Sequence, residues 1–394
     1  MPDKVDVIVV GCGAIGAAAA YWLSRRLGSG VLGLDQYEMG HARGASEDHS
    51  RIIRHSYSSE QYTALTPAAF QSWGVTEQAT GLQLVHRTGG LIIAHRDSAG
   101  AASLDSTASA MRAQNLPFEE LSGAEVSARW PQWRLGRQHV ALFDPESGIL
   151  DIRRSTAAHL AMARDNGARI VHNTAVTALA EGPRGVTVTA GTGQYLADRV
   201  ILAGGAWNPV LLGMLGTALP ITLTAEQVTY FATAKVRRFT PDRFPVYGFI
   251  DTDDYLYYGF PIYGEVATKA GIDSCGPEVS PGSEPDAIDP ARVARLRAFL
   301  GRYLPEAVGP ELYSRACRYD FPPDRDFIID YVPGHDRVLV CAGAGHAGKF
   351  AALLGRIASE LAIDGASRFA IDGFRTDRPA LTSARDAPAR ANSL

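Results

Sequence analysis

The amino-acid sequence predicts an α/β fold in which a parallel layer of the dinucleotide-binding type is interrupted by an inserted antiparallel-sheet domain. Three observations carry that expectation. Short apolar runs ending in glycine recur at residues 5–10, 200–205 and 338–343. The first of them leads through a glycine-rich turn into a helix-forming stretch. Between the distant runs, residues 221–233 and 244–263 alternate Thr, Tyr, Phe and Val as antiparallel strands do.

Each element has its own reason. Residues 5–10, apolar but for Asp6, read as a buried strand, and residues 17–26 are rich in good helix formers. Gly28 and Gly30 turn the chain into a second short strand at 31–35. Two parallel strands joined by a helix need a right-handed crossover. In the inserted region, residues 291–303 form an amphipathic helix with Val293, Leu296, Phe299 and Leu300 on one stripe. From Thr376 onward the composition loses its periodicity, so residues 380–394 are expected to form a flexible tail. The division that follows assigns 1–85, 150–215 and 318–379 to the nucleotide domain, and 86–149 and 216–317 to the substrate domain.

A chain of 394 residues with 46% apolar content buries a large core and suits two domains. The net charge of -4 supplies no basic excess for a nucleic acid. No run approaches the roughly 20 apolar residues of a membrane helix. Residues 1–6 open directly onto the first strand, without the basic flank and apolar core of an export signal. Cys12, Cys275, Cys317 and Cys341 show neither metal-ligand spacing nor a disulfide framework, which points to a reducing cytoplasm and no metal.

Gly11, Gly13 and Gly16 form G-x-G-x-x-G where the first strand meets its helix, and Asp35 closes the second strand nineteen residues after Gly16. Gly11 permits the tight turn, Gly13 lets a pyrophosphate approach the helix N-terminus, and Gly16 allows close helix–strand packing. Asp35 is placed to accept hydrogen bonds from a ribose. This is a Rossmann-type site, and the motif alone suits NAD as well as FAD.

Farther on stand Gly44-Ala45-Ser46, the run Ser50-Arg51-Ile52-Ile53-Arg54-His55-Ser56-Tyr57, and Ala203-Gly204-Gly205-Ala206-Trp207. Later come Tyr257-Tyr258-Gly259-Phe260-Pro261, Lys269, Cys317 with Tyr319-Asp320, Asp326-Phe327-Ile328-Ile329-Asp330, and Gly345-His346 with Lys349-Phe350. Together they resemble the monomeric sarcosine oxidase and N-methyltryptophan oxidase group of the FAD-dependent amino-acid oxidases, almost to the end of the chain. The resemblance implies FAD, touching Ser46, Gly345 and Lys349 and attached covalently through Cys317. It places Arg51 near the flavin ring and gives the substrate carboxylate to Arg54 and Lys349. Lys269 becomes the cation that promotes reaction of reduced flavin with oxygen, and Tyr258 and Tyr319 line the pocket. On a helical segment Arg51 and Arg54, three apart, would share a face. Arg318 is a nearby cation for the Cys317 thiol.

Four positions depart from the family: Asp273 and Glu47 stand where histidines occur, Gly348 where Phe occurs, and Ala347 where Gly occurs. Gly348 and Asp273 lead to the expectation of a substrate bulkier than sarcosine. The reaction implied is hydride removal from the carbon next to a secondary amine or N-substituted amino acid, imine hydrolysis, and release of hydrogen peroxide from molecular oxygen. Three other readings stay open on sequence: a flavin dehydrogenase that feeds a carrier, an NAD-dependent reductase, and a non-catalytic nucleotide-binding module. The oligomeric state is open as well.

Overall fold

The computed structural model describes residues 3–281, 283 and 287–383. Its parallel layer is built on β1 (Asp3–Val10), α1 (Ala14–Leu27) and β2 (Val31–Leu34). β1 pairs in parallel with β2 on one side and with the strand Gly193–Leu202 on the other, and Gly193–Leu202 pairs in parallel with Val338–Ala342. The three glycine-ended runs therefore share one sheet. Apart from the exposed Asp6 they are apolar because both faces are covered: Val7 and Val9 join a cluster with α1 and the helix Ala351–Asp364, while Ile8 and Val10 join another with Leu179, Val186 and Val188.

α1 begins three residues earlier than the propensities predict, because the glycine turn delivers Gly13 in an extended conformation directly to the first helical residue. Four consecutive alanines, Ala17 to Ala20, are fully buried in it. They let Gly355 of Ala351–Asp364 approach so closely that a Cβ there would lie 2.5 Å from the Ala18 Cβ.

The second large sheet has eight strands, running from the edge strand Glu311–Phe321 through Thr222–Phe231, Thr268–Ile272, Leu256–Phe260, Val246–Ile250, Gly90–His95 and His139–Asp144 to Glu119–Ser122. Every pairing is antiparallel except Val246–Ile250 with Gly90–His95. That one parallel seam joins two segments that leave the first layer at different points, so no hairpin constrains their direction. The strand Glu311–Phe321 pairs with Thr222–Phe231 as far as Phe321, so a division between 317 and 318 falls inside a strand. The helix Pro290–Tyr303, capped by Asp289, buries the expected stripe of Val293, Leu296, Phe299 and Leu300.

Two expectations are corrected. Arg51 does not lie on a helix: β3 (Arg51–Ile53) pairs with Gly148–Leu150 in a three-stranded sheet. The physical reason is the β-branched pair, which a strand can send to opposite faces. Ile53 packs with Leu150 and Trp73, and Ile52 with Ile149, Val246 and Phe260. The chain end also stays docked beyond residue 380, through the short helix Pro379–Thr382 with Leu381 buried and Arg378 paired to Asp324 at 2.7 Å. The rest of the expected tail, 384–394, lies outside the described residues. Among the described residues no helix is long and apolar enough to cross a membrane.

Candidate active site

A cavity of about 650 Å³ opens at the carboxyl end of β1 and reaches the second sheet. Every site residue chosen from the sequence lines it except Gly16. Gly16 acts one layer deeper, since a Cβ there would lie 1.8 Å from the Gly11 carbonyl oxygen.

At the first end Gly11 adopts φ +91°, and a Cβ on it would lie 2.5 Å from the Ala203 carbonyl oxygen. Gly13 starts α1 without a side-chain cap, and the Ser46 hydroxyl accepts from the Ala14 N–H at 2.8 Å. A bare helix N-terminus beside a hydroxyl is an anion site. The Asp35 carboxylate also braces the turn, accepting from the backbone N–H of Cys12 at 2.7 Å and of Tyr37 at 3.0 Å. Cys12 itself is buried packing against Ala17 and Leu160.

In the middle, carbonyl oxygens of Ser50, Ala45 and Glu47 accept from the Arg51 guanidinium at 2.7–2.8 Å and hold it in place. Cys317 faces the same space. Burial pushes its thiol up to about 11, against the pull of Arg51 and Lys269. Arg318, whose direction the sequence leaves open, turns from the thiol: adjacent strand residues point to opposite faces, and it donates to the Ser283 carbonyl at 3.0 Å. Glu47 is answered by Arg153 at 3.4 Å and Arg315 at 3.9 Å. Lys269, on Thr268–Ile272, is buried with its Nζ 2.5 Å from Asp48. Burial lowers it to about 8, with Asp48 opposing.

At the far end the Arg54 guanidinium lies 4.3 Å over the Tyr57 ring and donates to the Ser56 carbonyl at 2.8 Å. The Lys349 Nζ is 5.7 Å from the same ring. Among the described residues neither cation has a carboxylate within ion-pair distance. Burial lowers Lys349 to about 7, helped by Arg54 and opposed by Asp273. Tyr258 and Tyr319 are half-buried in the cavity wall, and their desolvation holds both hydroxyls protonated. Tyr319 lies flat against Gly345 at φ +75°, where a Cβ would meet its ring at 2.5 Å. Asp320 fixes that loop by accepting from the N–H groups of Gly343 at 3.0 Å and Gly345 at 3.3 Å.

Two departures from the family find explanations within the protein. Asp273 pairs with Arg325 at 3.1 Å and accepts from Ser274 at 2.8 Å, so its charge is answered without a ligand. A Cβ on Gly348 would lie 3.3 Å from Arg51 Cγ and 3.8 Å from Ile152 Cδ1, so the missing side chain leaves room for the Arg51 stem. Sequence reasoning passed over three residues of the site: Asp48, Arg325 and the structural role of Asp320. Asp320 sat in a quoted run beside Tyr319; Asp48 and Arg325 carry no local pattern, because their partners are distant in the chain.

Residues 6–361 match the family model described as FAD dependent oxidoreductase. The chain belongs to that family. It is 32% identical over 386 residues to monomeric sarcosine oxidase of Bacillus sp. (strain B-0618), covering 97% of this chain and 98% of that one. It is 33% identical over 381 residues to N-methyl-L-tryptophan oxidase of Escherichia coli O127:H6, covering 95% and 99%. Among solved structures, NikD, an unusual amino acid oxidase essential for nikkomycin biosynthesis, superposes with a TM-score of 0.86 at 25% identity over 98% of this chain and 100% of that one. The dinucleotide is therefore FAD, and the residues present fit it: a cradle that a Cβ would fill at Gly11, a helix N-terminus for its pyrophosphate, and one cavity long enough to continue past Arg51.

Proposed function

We propose that this FAD-dependent oxidoreductase is an oxidase of an N-substituted amino acid. One observation carries the reading: Arg54 and Lys349, two cations without a counterion among the described residues, both stand against the Tyr57 ring in the cavity that begins at the glycine turn. A planar guanidinium and an ammonium together fit a carboxylate, and fixing the carboxylate orients the carbon next to the amine. The same positive charge favours the neutral, oxidisable form of that amine. FAD, when bound, supplies the hydride acceptor for that carbon. Tyr258 and Tyr319 wall the reacting centre, and Arg51 is rigid enough to stand beside the ring. The sarcosine oxidase and N-methyl-L-tryptophan oxidase relatives support this substrate class.

Cys317 is the residue we assign to covalent FAD, through a thioether. Acid-precipitated protein is expected to stay yellow and Cys317→Ser to release its flavin; colour lost from the wild type, or kept by the variant, refutes the assignment. Lys269 is the cation for reaction with oxygen, the proposed acceptor, because a fixed positive charge stabilises the anion formed as oxygen is reduced. The four free cysteines favour a cytoplasmic placement. The expectation of a substrate larger than sarcosine rests on Gly348, which lines the cavity beside the Arg51 stem. The deciding experiment is peroxide release over N-alkyl amino acids, N-substituted glycines and cyclic imino acids, each beside its carboxamide. Turnover of carboxamides as fast as carboxylates would end this reading.

A further inference from the structure

Lys269 is held from outside its own strand. Its Nζ lies 2.5 Å from Asp48 Oδ2 and donates to the Ser50 carbonyl at 2.9 Å and to the Ser50 hydroxyl at 3.2 Å. All three groups belong to the segment just before β3. Asp48 is buried at φ +95°, a left-handed conformation that costs a non-glycine residue energy and persists only where its surroundings impose it. Its other oxygen accepts from the Tyr230 hydroxyl and from the His49 N–H, which aims Oδ2 at the lysine.

We propose that Asp48 is the positioning residue for Lys269: its carboxylate keeps the ammonium charged and fixes where that charge stands in the cavity. The inference rests on the reading of Lys269 as the cation that serves the oxygen reaction.

The groups facing Lys269 leave this task to Asp48. From the strand Thr222–Phe231 comes the Tyr230 ring, 5.9 Å away and backed by Tyr313; from Leu256–Phe260 comes the Phe260 ring at 4.6 Å. Ring faces attract a cation only weakly. Arg51 repels it, and Cys317 on Glu311–Phe321 is kept as a neutral thiol by burial. His49 stands edge-on to Tyr230 and is occupied with Glu265 at 3.4 Å. Among the described residues Asp48 is the one full negative charge in contact. Burial without it would drive the proton off the amine.

The sign follows. With Asp48 in place Lys269 loses its proton only near pH 8. Without Asp48 that loss moves to lower pH. Asp48 also cancels part of the charge it preserves, so the two consequences separate with pH: below the displaced limb an unopposed ammonium acts, and above it none does.

The test uses holoenzyme in four forms: wild type, Asp48→Asn, Asp48→Glu and Lys269→Met. Flavin reoxidation by oxygen is followed by stopped flow across the pH range, and the affinity of the oxidised flavin for sulfite, an anion that reports positive charge at the ring, is measured at the same pH values. In Asp48→Asn both profiles should fall off at least about one unit lower than in wild type, a tenfold change in proton affinity. Below that point reoxidation should be as fast as wild type or faster. Asp48→Glu should restore the limb, and Lys269→Met should show none. An unmoved limb, or a loss of equal size at every pH in both Asp48 variants, overturns the proposal. If Lys269→Met reoxidises like wild type, the oxygen reading of Lys269 fails, and the sulfite limb still decides whether Asp48 sets its charge.

Discussion

Lys269 and Lys349 enter one cavity from a strand and from a turn, and burial weakens both as bases, to about 8 and about 7. Their company differs. Lys269 rises from the strand Thr268–Ile272 into contact with a carboxylate, a carbonyl and a hydroxyl. Lys349 stands in the short turn Ala347–Phe350, where it meets a tyrosine ring and the repulsion of Arg54. A buried charge without a counterion is costly. An ammonium with an internal partner is thus a built-in cation, and one without is a place for an anion that the ligand brings. The difference supports the proposed division, with Lys269 serving the chemistry of the ring and Lys349 the substrate.

The contrast breaks most sharply at Lys269. Lys269→Met should slow flavin reoxidation by oxygen about 10²- to 10³-fold, the size seen when a preorganised oxyanion partner is removed, while carboxylate ligands bind as before. The two half-reactions must be timed separately. A larger effect on ligand affinity than on reoxidation would reverse the two assignments.

Lys349→Met and Arg54→Lys should do the opposite. Each is expected to weaken carboxylate ligands by about 1.5–3 kcal/mol, the value of a charged hydrogen bond, and to leave reoxidation alone. For Arg54→Lys the loss comes from replacing a planar fork by a point charge. Competitive inhibition by small carboxylates reads it directly, and no change in either variant would leave both residues without a substrate role.

A third, smaller effect concerns pH. Free Lys349 is charged below about 7, and a bound carboxylate favours that charged form. Affinity should therefore be full below pH 7 and fall as pH rises, by up to about tenfold per unit until the pKa of the complex is passed. Lys349→Met should bind weakly but without this slope, since the titrating ammonium is gone. A flat wild-type profile between pH 6 and about 9 would mean that the ligand does not meet Lys349.

Much of the fold was legible because it rests on local pattern: apolar runs that end in glycine, a glycine turn, and alternation in the second sheet. The backbone-built end of the site was equally legible, since Gly11, Gly13 and Gly16 must be glycine for reasons of space. The charged end was legible only as a set of residues. Its pairings, Asp48 with Lys269 and Asp273 with Arg325, are contacts between distant segments that leave no trace in spacing. The strand at Arg51–Ile53 was hidden for a related reason. Three residues carry little periodicity, and their strand partner lies at Gly148–Leu150. The docked end at Leu381 depends likewise on Asp324 receiving Arg378.

The smallest effect is expected at Gly348, where substitution tests whether the open side of that glycine belongs to the substrate half of the cavity or to Arg51. Its φ lies outside the left-handed region, so alanine can take its backbone conformation. Restricting the unfolded chain would then stabilise the protein by about 0.4–1 kcal/mol. Against this, the new Cβ would stand 3.3 Å from Arg51 Cγ, a contact relieved when the flexible stem of the arginine yields by a few tenths of an ångström. The two terms nearly offset, and Gly348→Ala should change stability by no more than about 0.5 kcal/mol. Because the Cβ would stand against Arg51 and Ile152, the ratio of kcat/KM for small and bulky N-substituted glycines should stay within about threefold of wild type, well under 1.4 kcal/mol. A tenfold swing toward the smaller substrate would place Gly348 in the wall of the substrate pocket and restore the sequence argument for a bulky amine.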